Sequence, residues 1–359
     1  MGLLTTAAIS ACHRLGLFKY LRESWRTDLV EQRERLSPLE RSIEGLRRSA
    51  ETVEKSIPEQ IDQLHRRLRK VERESRTLQL LIADDQAHRH KWDRLEATLD
   101  EISIRSTIER ALSTSVVEAP MPHMLLRDLL PPATYDAFLE AIPRDEFFPD
   151  KDPIKRNLKM QQLDVAPAWT RRALTYLEST IIGTLLAPAV IVRMRPYLEG
   201  MYRDEFGPTL GPVLAALPHA PTAGRLMLRR PGYKLEPHLD PKRVAITCLI
   251  YFARPGDDAR YGTELFALDR PPVLTQSNTF YPKEHGYKCR LVKAVPFEPN
   301  TALVFLNRVG AHAAEIPSDA PRDTKRFAYQ FYISPDPAAL EAMVAHSEKA
   351  VRHPVSASS

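Results

Sequence analysis

The sequence predicts an α+β fold in which a helical N-terminal region precedes a barrel or jelly roll of β-strands. Three patterns lead to this prediction: heptad periodicity before residue 115, amphipathic helical stretches in the middle of the chain, and short apolar runs separated by turns in the second half. The chain has 359 residues, which is long enough for two domains, one of them with a large core.

The N-terminal region, residues 1–115, has the pattern of a coiled coil or a long helical hairpin. Ser56-Ile57-Pro58-Glu59 has the form of a helix start, so we expect a break or kink near Ser56. The Arg-rich run His65–Lys70 is interleaved with acidic residues, which indicates a solvated helix face and not a nucleic-acid site. We expect this region to mediate homo-oligomer formation or to bind a protein partner. Its apolar residues recur every seven positions at Ile43, Ala50, Ile57, Leu64, Val71 and Leu78.

Residues 120–337 are predicted to form the second domain, with a core at 222–334, and residues 338–359 a short helix and a polar tail. An amphipathic helix is expected over Ala133–Ile142, and an edge strand within Pro143–Asp164. Two further helices are expected at Pro167–Leu186 and Pro188–Phe206, the second broken near Pro196. The first of them has an apolar face that should pack on the outside of the barrel, formed by Leu174, Leu177, Ile181 and Leu185.

A His-x-Asp motif stands at the entrance of a predicted buried strand, Val244–Phe252. His238 and Asp240 are two residues apart, so their side chains share one face of an extended backbone. His312 lies between two further predicted strands, Pro299–Asn307 and Arg326–Ile333. Two imidazoles and one carboxylate can occupy one face of an octahedral metal and leave positions open, which is the ligand set of non-haem Fe(II) oxygenases. The pattern therefore predicts an Fe(II) site.

The chain from His238 to Ile333 resembles the double-stranded β-helix core of Fe(II)/2-oxoglutarate dioxygenases, in the prolyl 4-hydroxylase-like branch. The resemblance covers roughly residues 222–334 and implies that His238, Asp240 and His312 are the iron ligands. It also implies that Arg326 binds the distal carboxylate of 2-oxoglutarate and that Tyr251 hydrogen-bonds the same carboxylate. Gly262-Thr-Glu-Leu265 resembles the family's Gly-Gly-x-Leu turn, with threonine in place of the second glycine.

The activity implied by this resemblance is hydroxylation of a C–H bond in a peptidyl or small-molecule substrate. The cofactor would be Fe(2+), with 2-oxoglutarate and O2 as cosubstrates, succinate and CO2 as co-products, and ascorbate as a further candidate. The residue types suit these roles. An arginine can donate two parallel hydrogen bonds to a carboxylate and does not deprotonate.

Several alternatives stay open at this level. Arg322 lies nearer the commoner family spacing than Arg326, but it falls in a loop rich in proline and aspartate. His285 competes with His312 as the third ligand. A nucleic-acid dealkylating oxygenase is a second function, although the position where that branch carries a second arginine is Tyr332 here. A catalytically inactive interaction protein that uses the coiled coil is a third.

Charge and composition limit the partners and the cellular compartment that we expect for the protein. There are 51 Lys and Arg against 46 Asp and Glu, so the chain is only mildly basic and no nucleic-acid partner is expected. Three scattered cysteines do not form a disulfide framework or a zinc site. No apolar run approaches the roughly 20 residues of a membrane span, and Leu3–Ala11 is too short for a signal peptide. We therefore expect a cytoplasmic protein without a membrane partner.

Overall fold

The computed structural model describes residues 30–31, 34–49, 58–150, 152–272, 278–338 and 341. The chain divides into two compact units. One consists of the described parts of residues 1–98 together with residues 164–173, and the other of residues 99–163 and 174–359 as far as they are described.

The first unit contains the heptad region. Residues 34–49 form helix α1, and Pro58–Thr98 form the long helix α2. The apolar stripe predicted on α2 is partly protected from solvent, since Leu64 and Val71 are half-buried and Leu78 is buried. The helix is therefore observed, whereas its pairing in a coiled coil stays a prediction. Ala50, Ser56 and Ile57 lie outside the described residues, and so does the expected break.

Among the described residues, ten strands form two antiparallel sheets, and all ten belong to the second unit. Their bounds are β1 His123–Leu126, β2 Lys155–Lys159, β3 His219–Arg229, β4 Lys234–His238, β5 Ile246–Tyr251, β6 Thr263–Leu268, β7 Cys289–Val295, β8 Thr301–Leu306, β9 Ala311–Glu315 and β10 Arg326–Pro335. The larger sheet has the order β1-β8-β5-β10-β3-β2, and the smaller sheet has the order β4-β9-β6-β7. This mixture of helices and two antiparallel sheets is consistent with the predicted jelly roll.

The apolar runs found in the sequence are central strands of the larger sheet. The runs Val244–Phe252 and Pro299–Asn307 contain β5 and β8, in which every residue is buried. The third run begins at Arg326 as predicted and forms β10, which pairs with β5 and β3. The edge strand expected before residue 164 is β2, at one edge of this sheet.

The remaining helices are α3 Glu101–Ala111, α4 Pro132–Glu140, α5 Ala168–Tyr176, a π-helical segment Leu177–Leu186, and α6 Ala187–Ala216. Helix α4 lies where an amphipathic helix was predicted. The prediction of a break near Pro196 is wrong, because α6 continues through that residue and kinks at Gly207, where φ is 82°. Glycine adopts a positive φ without steric cost, whereas a proline keeps a helical φ and removes one backbone hydrogen bond.

The π-helical segment packs on the outer face of the larger sheet. It contacts β3, and the hydroxyl of Tyr329 on β10 donates a hydrogen bond to Glu178. All four residues of the predicted apolar face are buried, namely Leu174, Leu177, Ile181 and Leu185. The stretch Ala168–Ala216 is long and apolar enough to cross a membrane by length and composition alone, which corrects the expectation that no segment is. Burial of this apolar face is what a helix packed on a sheet requires.

Candidate metal centre and adjoining cavity

Three residues that could hold a metal ion meet between β4 and β9 of the smaller sheet. His238 ends β4 and pairs in register with His312 on β9, and Asp240 follows two residues later. Each of the three offers one ligand atom, and these atoms all lie within 4.8 Å of one another. The Nε2 atom of His238 is 4.0 Å from Oδ1 of Asp240, and that of His312 is 3.6 Å from Oδ2. The cross-strand pairing brings the two distant histidines together.

The carboxylate of Asp240 is held in place from both sides. Tyr332 donates a hydrogen bond to Oδ1 at 3.0 Å, and Thr247 donates one to Oδ2 at 2.6 Å. The backbone N–H of Asp240 donates to the side chain of Asn307, whose amide in turn donates to the Asp240 carbonyl. The Nδ1 atom of His238 is 3.0 Å from the Glu236 carbonyl, which leaves Nε2 directed at the site. Hydrogen bonds within the protein therefore orient Asp240 and His238, whereas Nδ1 of His312 is buried without a partner among the described residues.

The protonation states of the three residues suit a divalent metal. Burial lowers the pKa of His238, and it lowers the pKa of His312 to about 3, so both imidazoles are neutral near pH 7. Burial by itself would raise the pKa of Asp240. The adjacent imidazoles and the hydrogen bonds from Thr247 and Tyr332 outweigh it and hold this pKa below its ordinary value. Two neutral nitrogen donors and one anionic oxygen donor are what a non-haem Fe(II) site uses.

A cavity of about 500 Å³ adjoins the three residues, and Arg326 lines it together with them. The side chain of Arg326 is 3% exposed, and its guanidinium lies over the rings of Tyr251 and Phe297. It donates weak hydrogen bonds to the Gly262 carbonyl and the Thr263 hydroxyl, at 3.4 and 3.3 Å. Its Nε is buried without an acceptor among the described residues. A buried guanidinium without a carboxylate partner is suited to bind an anion.

Thr263 takes part in this end of the cavity, although the sequence showed it only as a departure from a family pattern. The hydroxyl of Tyr251 donates to Thr263 Oγ1 at 2.7 Å, and Thr263 lines the cavity while Tyr251 does not. The hydroxyl of Tyr251 therefore reaches the cavity through Thr263. The residue before Thr263 is Gly262, where only glycine fits because a Cβ would lie 1.7 Å from the Val295 carbonyl oxygen.

The competing residues named from the sequence lie elsewhere. Arg322 is exposed in a turn and is not among the residues that line the cavity. His285 is also exposed, and its ring stacks on Phe280 at 4.4 Å between centroids. Tyr332, the position considered for a second arginine, donates a hydrogen bond to Asp240 and so belongs to the candidate metal centre. The cavity thus contains the three predicted ligands and Arg326, whereas Arg322, His285 and Tyr251 do not line it.

Two further arginines in the cavity were missed from the sequence. Arg225 and Arg229 lie on β3 beside β10, and both line the cavity. The signal that could have revealed them is the alternation Arg225-Leu-Met-Leu-Arg229, which places both arginines on the same face of an extended strand.

Comparisons with known proteins gave solved structures alone. No family model and no curated protein matches the chain. It is similar to the epimerase SnoN in complex with Fe3+, alpha ketoglutarate and nogalamycin RO, at 13% identity and a TM-score of 0.36, over 64% of this chain and 84% of that chain. It is also similar to HygX from Streptomyces hygroscopicus with nickel, 2-oxoglutarate, and hygromycin B bound. The identity is 14% and the TM-score 0.35, over 59% of this chain and 82% of that chain.

A Pseudomonas putida prolyl-4-hydroxylase is also similar, at 15% identity and a TM-score of 0.28, over 64% of this chain and 99% of that chain. The solved structures that resemble the chain thus include proteins with bound 2-oxoglutarate and a prolyl-4-hydroxylase. Because these TM-scores are below 0.5, the function is inferred from the side chains of the cavity.

Proposed function

We propose that the protein is an Fe(II)- and 2-oxoglutarate-dependent dioxygenase with a prolyl-hydroxylase-like double-stranded β-helix core. One observation carries this proposal. His238, Asp240 and His312 lie with their ligand atoms within 4.8 Å of one another, in a cavity that also holds the buried and carboxylate-free Arg326. A metal site alone would fit many proteins, but a buried guanidinium beside an N,N,O triad fits a dicarboxylate that binds the metal with one end.

In this proposal each residue has a defined task. His238, Asp240 and His312 hold the iron, while Thr247 and Tyr332 keep the carboxylate oriented and ionised. Arg326 binds the distal carboxylate of 2-oxoglutarate, with Thr263 beside it and Tyr251 behind Thr263. Iron, when bound, supplies the redox chemistry that converts 2-oxoglutarate and O2 into succinate and CO2 and hydroxylates a C–H bond. The protein contributes orientation of the substrate and exclusion of water.

We propose a peptidyl or small-molecule substrate and no nucleic acid. Tyr332 is engaged with Asp240 and stands where nucleic-acid dealkylating relatives carry a second arginine. Specificity would be set by residues within 268–295 and 313–325, of which Thr279, Tyr281, Ala313 and Ala314 line the cavity.

The experiment is a screen for succinate formation by the Fe(II)-loaded full chain, supplied with 2-oxoglutarate, oxygen, and fractions of peptides or metabolites. We expect at least one fraction to stimulate succinate formation, with a product heavier by one oxygen atom, and Asp240→Ala to abolish both signals. Methylated single-stranded DNA and RNA serve as comparison substrates. Demethylation of either one, lost in Asp240→Ala, would replace this proposal by the dealkylase.

We further propose that the protein is cytoplasmic, and that its N-terminal helices form a coiled coil through which it is a homo-oligomer or binds a partner protein. The support is the heptad spacing of Leu64 and Val71 on α2, both of which stay partly exposed in the single chain. Light scattering on Val71→Lys in the full chain tests it, with the exposed Glu72→Lys as control. The mass should fall in the first variant and stay unchanged in the second. An oligomer that survives Val71→Lys would contradict the proposal.

A further inference from the structure

The inner face of the larger sheet carries more positive charge than an iron site with 2-oxoglutarate requires. Arg229 on β3 pairs in register with Lys155 on β2 on one side and with Arg326 on β10 on the other. All three side chains line the cavity, as does Arg225 further along β3. Like charges placed directly opposite each other on neighbouring strands are destabilising, so the row of Lys155, Arg229 and Arg326 lowers the stability of the folded chain.

Arg229 is buried, with 6% of its surface exposed, and every acceptor recorded for it is neutral. Its terminal nitrogens donate to the carbonyls of Arg156 and Leu228 and to the side chain of Asn157, each at 2.9 Å. Its Nε is buried and has no acceptor in the described part of the chain. Burial lowers the pKa of Arg229, and the charges of Arg326 and Arg225 lower it further. The guanidinium is thus positioned but not neutralised.

Arg225 lies between Arg229 and the metal centre and has only neutral partners recorded as well. It donates to the Gln330 side-chain oxygen and to the Tyr332 hydroxyl, which itself donates to Asp240. Across residues 58–150, 152–272 and 278–338, no ion pair is found for Arg225, Arg229 or Arg326. The side chain of Arg225 is half-buried and therefore still accessible from the cavity.

The two carboxylates that line the cavity do not neutralise these arginines. Asp240 belongs to the metal centre. Asp152 accepts hydrogen bonds from the backbone N–H groups of Ile154 and Lys155. Its single negative charge interacts with Lys155 first and with Arg229 second, so it can offset only one of these two positive charges. A divalent iron, Asp240, Arg326 and a 2-oxoglutarate dianion together are neutral. The charges of Arg225 and Arg229 remain.

We propose that Arg225 and Arg229 form a second anion site that binds a carboxylate or phosphate group of the substrate. This inference rests on the proposed function, because it takes Arg326 as the partner of 2-oxoglutarate. It narrows the substrate to a small anionic molecule, since a cavity of about 500 Å³ accommodates 2-oxoglutarate and a second compact ligand. Two guanidiniums on one strand face match the several oxygen acceptors of such a group.

The test uses the full chain loaded with Ni(II) and saturated with 2-oxoglutarate, so that no turnover occurs. Calorimetry then compares hexanoate with hexanamide, which differ in charge but hardly in shape, and inorganic phosphate as a third probe. We expect hexanoate or phosphate to bind at least about 10-fold more tightly than hexanamide. Arg225→Gln and Arg229→Gln should each weaken anion binding about 10-fold and change the Kd of 2-oxoglutarate less than about 3-fold.

Two control variants define what the signal means. Arg290→Gln removes the same charge from an exposed position on β7 and should leave anion binding unchanged. Arg229→Lys keeps the charge and should weaken anion binding less than Arg229→Gln does. If Arg229→Gln fails to fold, the half-buried Arg225 carries the test through Arg225→Gln.

Equal binding of hexanoate and hexanamide, or anion binding that survives both glutamine variants, would overturn the proposal. A loss of 2-oxoglutarate affinity in these variants as large as that in Arg326→Met would also overturn it, because the arginines would then serve the cosubstrate. Failure of the proposed function has a different signature, namely no metal-dependent 2-oxoglutarate binding by the wild type. The same anion titration without 2-oxoglutarate still decides whether Arg225 and Arg229 form an anion site.

Discussion

The cavity has two ends that differ in how their buried charges are paired. The metal end consists of His238, Asp240 and His312, and the arginine end of Arg225, Arg229 and Arg326. At the metal end, both oxygens of Asp240 accept hydrogen bonds and the two histidines are neutral. At the arginine end, Arg229 and Arg326 each bury an Nε without an acceptor and have no carboxylate partner among the described residues. The carboxylate at the metal end is thus satisfied within the protein, where Nδ1 of His312 is the one ligand nitrogen buried without a recorded partner among the described residues, whereas the charges at the arginine end have no counterion within the described chain.

The largest effect should come from removing a ligand at the metal end. We expect Asp240→Ala, His238→Ala and His312→Ala each to lower the affinity for Fe(II) or Ni(II) by more than about 100-fold, since losing even an outer-shell partner costs 10–100-fold. Metal titration followed by calorimetry measures this. His285→Ala, at an exposed histidine, is the control. If that control lost the metal and His312→Ala kept it, the third ligand would be misassigned.

At the arginine end, Arg326→Met should weaken 2-oxoglutarate binding about 100-fold and leave metal affinity unchanged. The reason is that breaking a desolvated charge pair costs about 2–5 kcal/mol. Arg322→Met removes the same charge from an exposed turn and should have little effect. A titration of 2-oxoglutarate into each metal-loaded variant gives the Kd values. The opposite ranking would transfer the role to Arg322.

Acidification should destabilise the metal-free protein through the metal end. The pKa of His312 is lowered from 6.5 to about 3 and that of His238 is also lowered, so the unfolded chain binds more protons than the folded one within this window. Stability should therefore fall as the pH decreases below 6.5, by up to about 1.4 kcal/mol per pH unit for each histidine. Asp240 adds to the loss only below its ordinary value of 3.8.

Urea unfolding of the metal-free protein near pH 7 and near pH 5 measures this loss. His312→Asn should show a weaker pH dependence, because one of the two depressed groups is gone. A profile that is the same in wild type and variant would show that these imidazoles are not buried in the neutral form.

Removing the hydroxyl of Thr263 or of Tyr251 should change the Kd of 2-oxoglutarate by smaller and unequal amounts. Thr263→Val removes a hydroxyl that lines the cavity beside Arg326, so the Kd of 2-oxoglutarate should rise by about 5–10-fold, equivalent to one hydrogen bond. Tyr251→Phe removes a hydroxyl that bonds Thr263, and its effect on the same Kd should be about 3-fold or less. A larger effect of Tyr251→Phe would mean that this hydroxyl reaches the ligand directly.

The sequence predicted the metal end better than the arginine end, and the physical reason is locality. His238 and Asp240 are two residues apart, and β5, β8 and β10 appear as apolar runs around His312 and Arg326. The His-x-Asp spacing and the apolar runs can each be recognised within a short window of sequence.

The row of Lys155, Arg229 and Arg326 depends on the register between β2, β3 and β10, and no local pattern encodes that register. The roles of Thr247 and Asn307 arise in the same way, from strands that meet only in the folded chain. The kink at Gly207 was missed because proline was taken as the stronger helix breaker.

We propose that the metal and arginine ends of the cavity bind one molecule of 2-oxoglutarate together. Anaerobic absorption spectroscopy tests this most directly. The wild-type chain with Fe(II) and 2-oxoglutarate should develop a weak visible charge-transfer band that neither component gives alone. The band should be absent in Asp240→Ala and should require about 100-fold more 2-oxoglutarate in Arg326→Met. A folded, iron-loaded wild type that shows no band at saturating 2-oxoglutarate would contradict the claim.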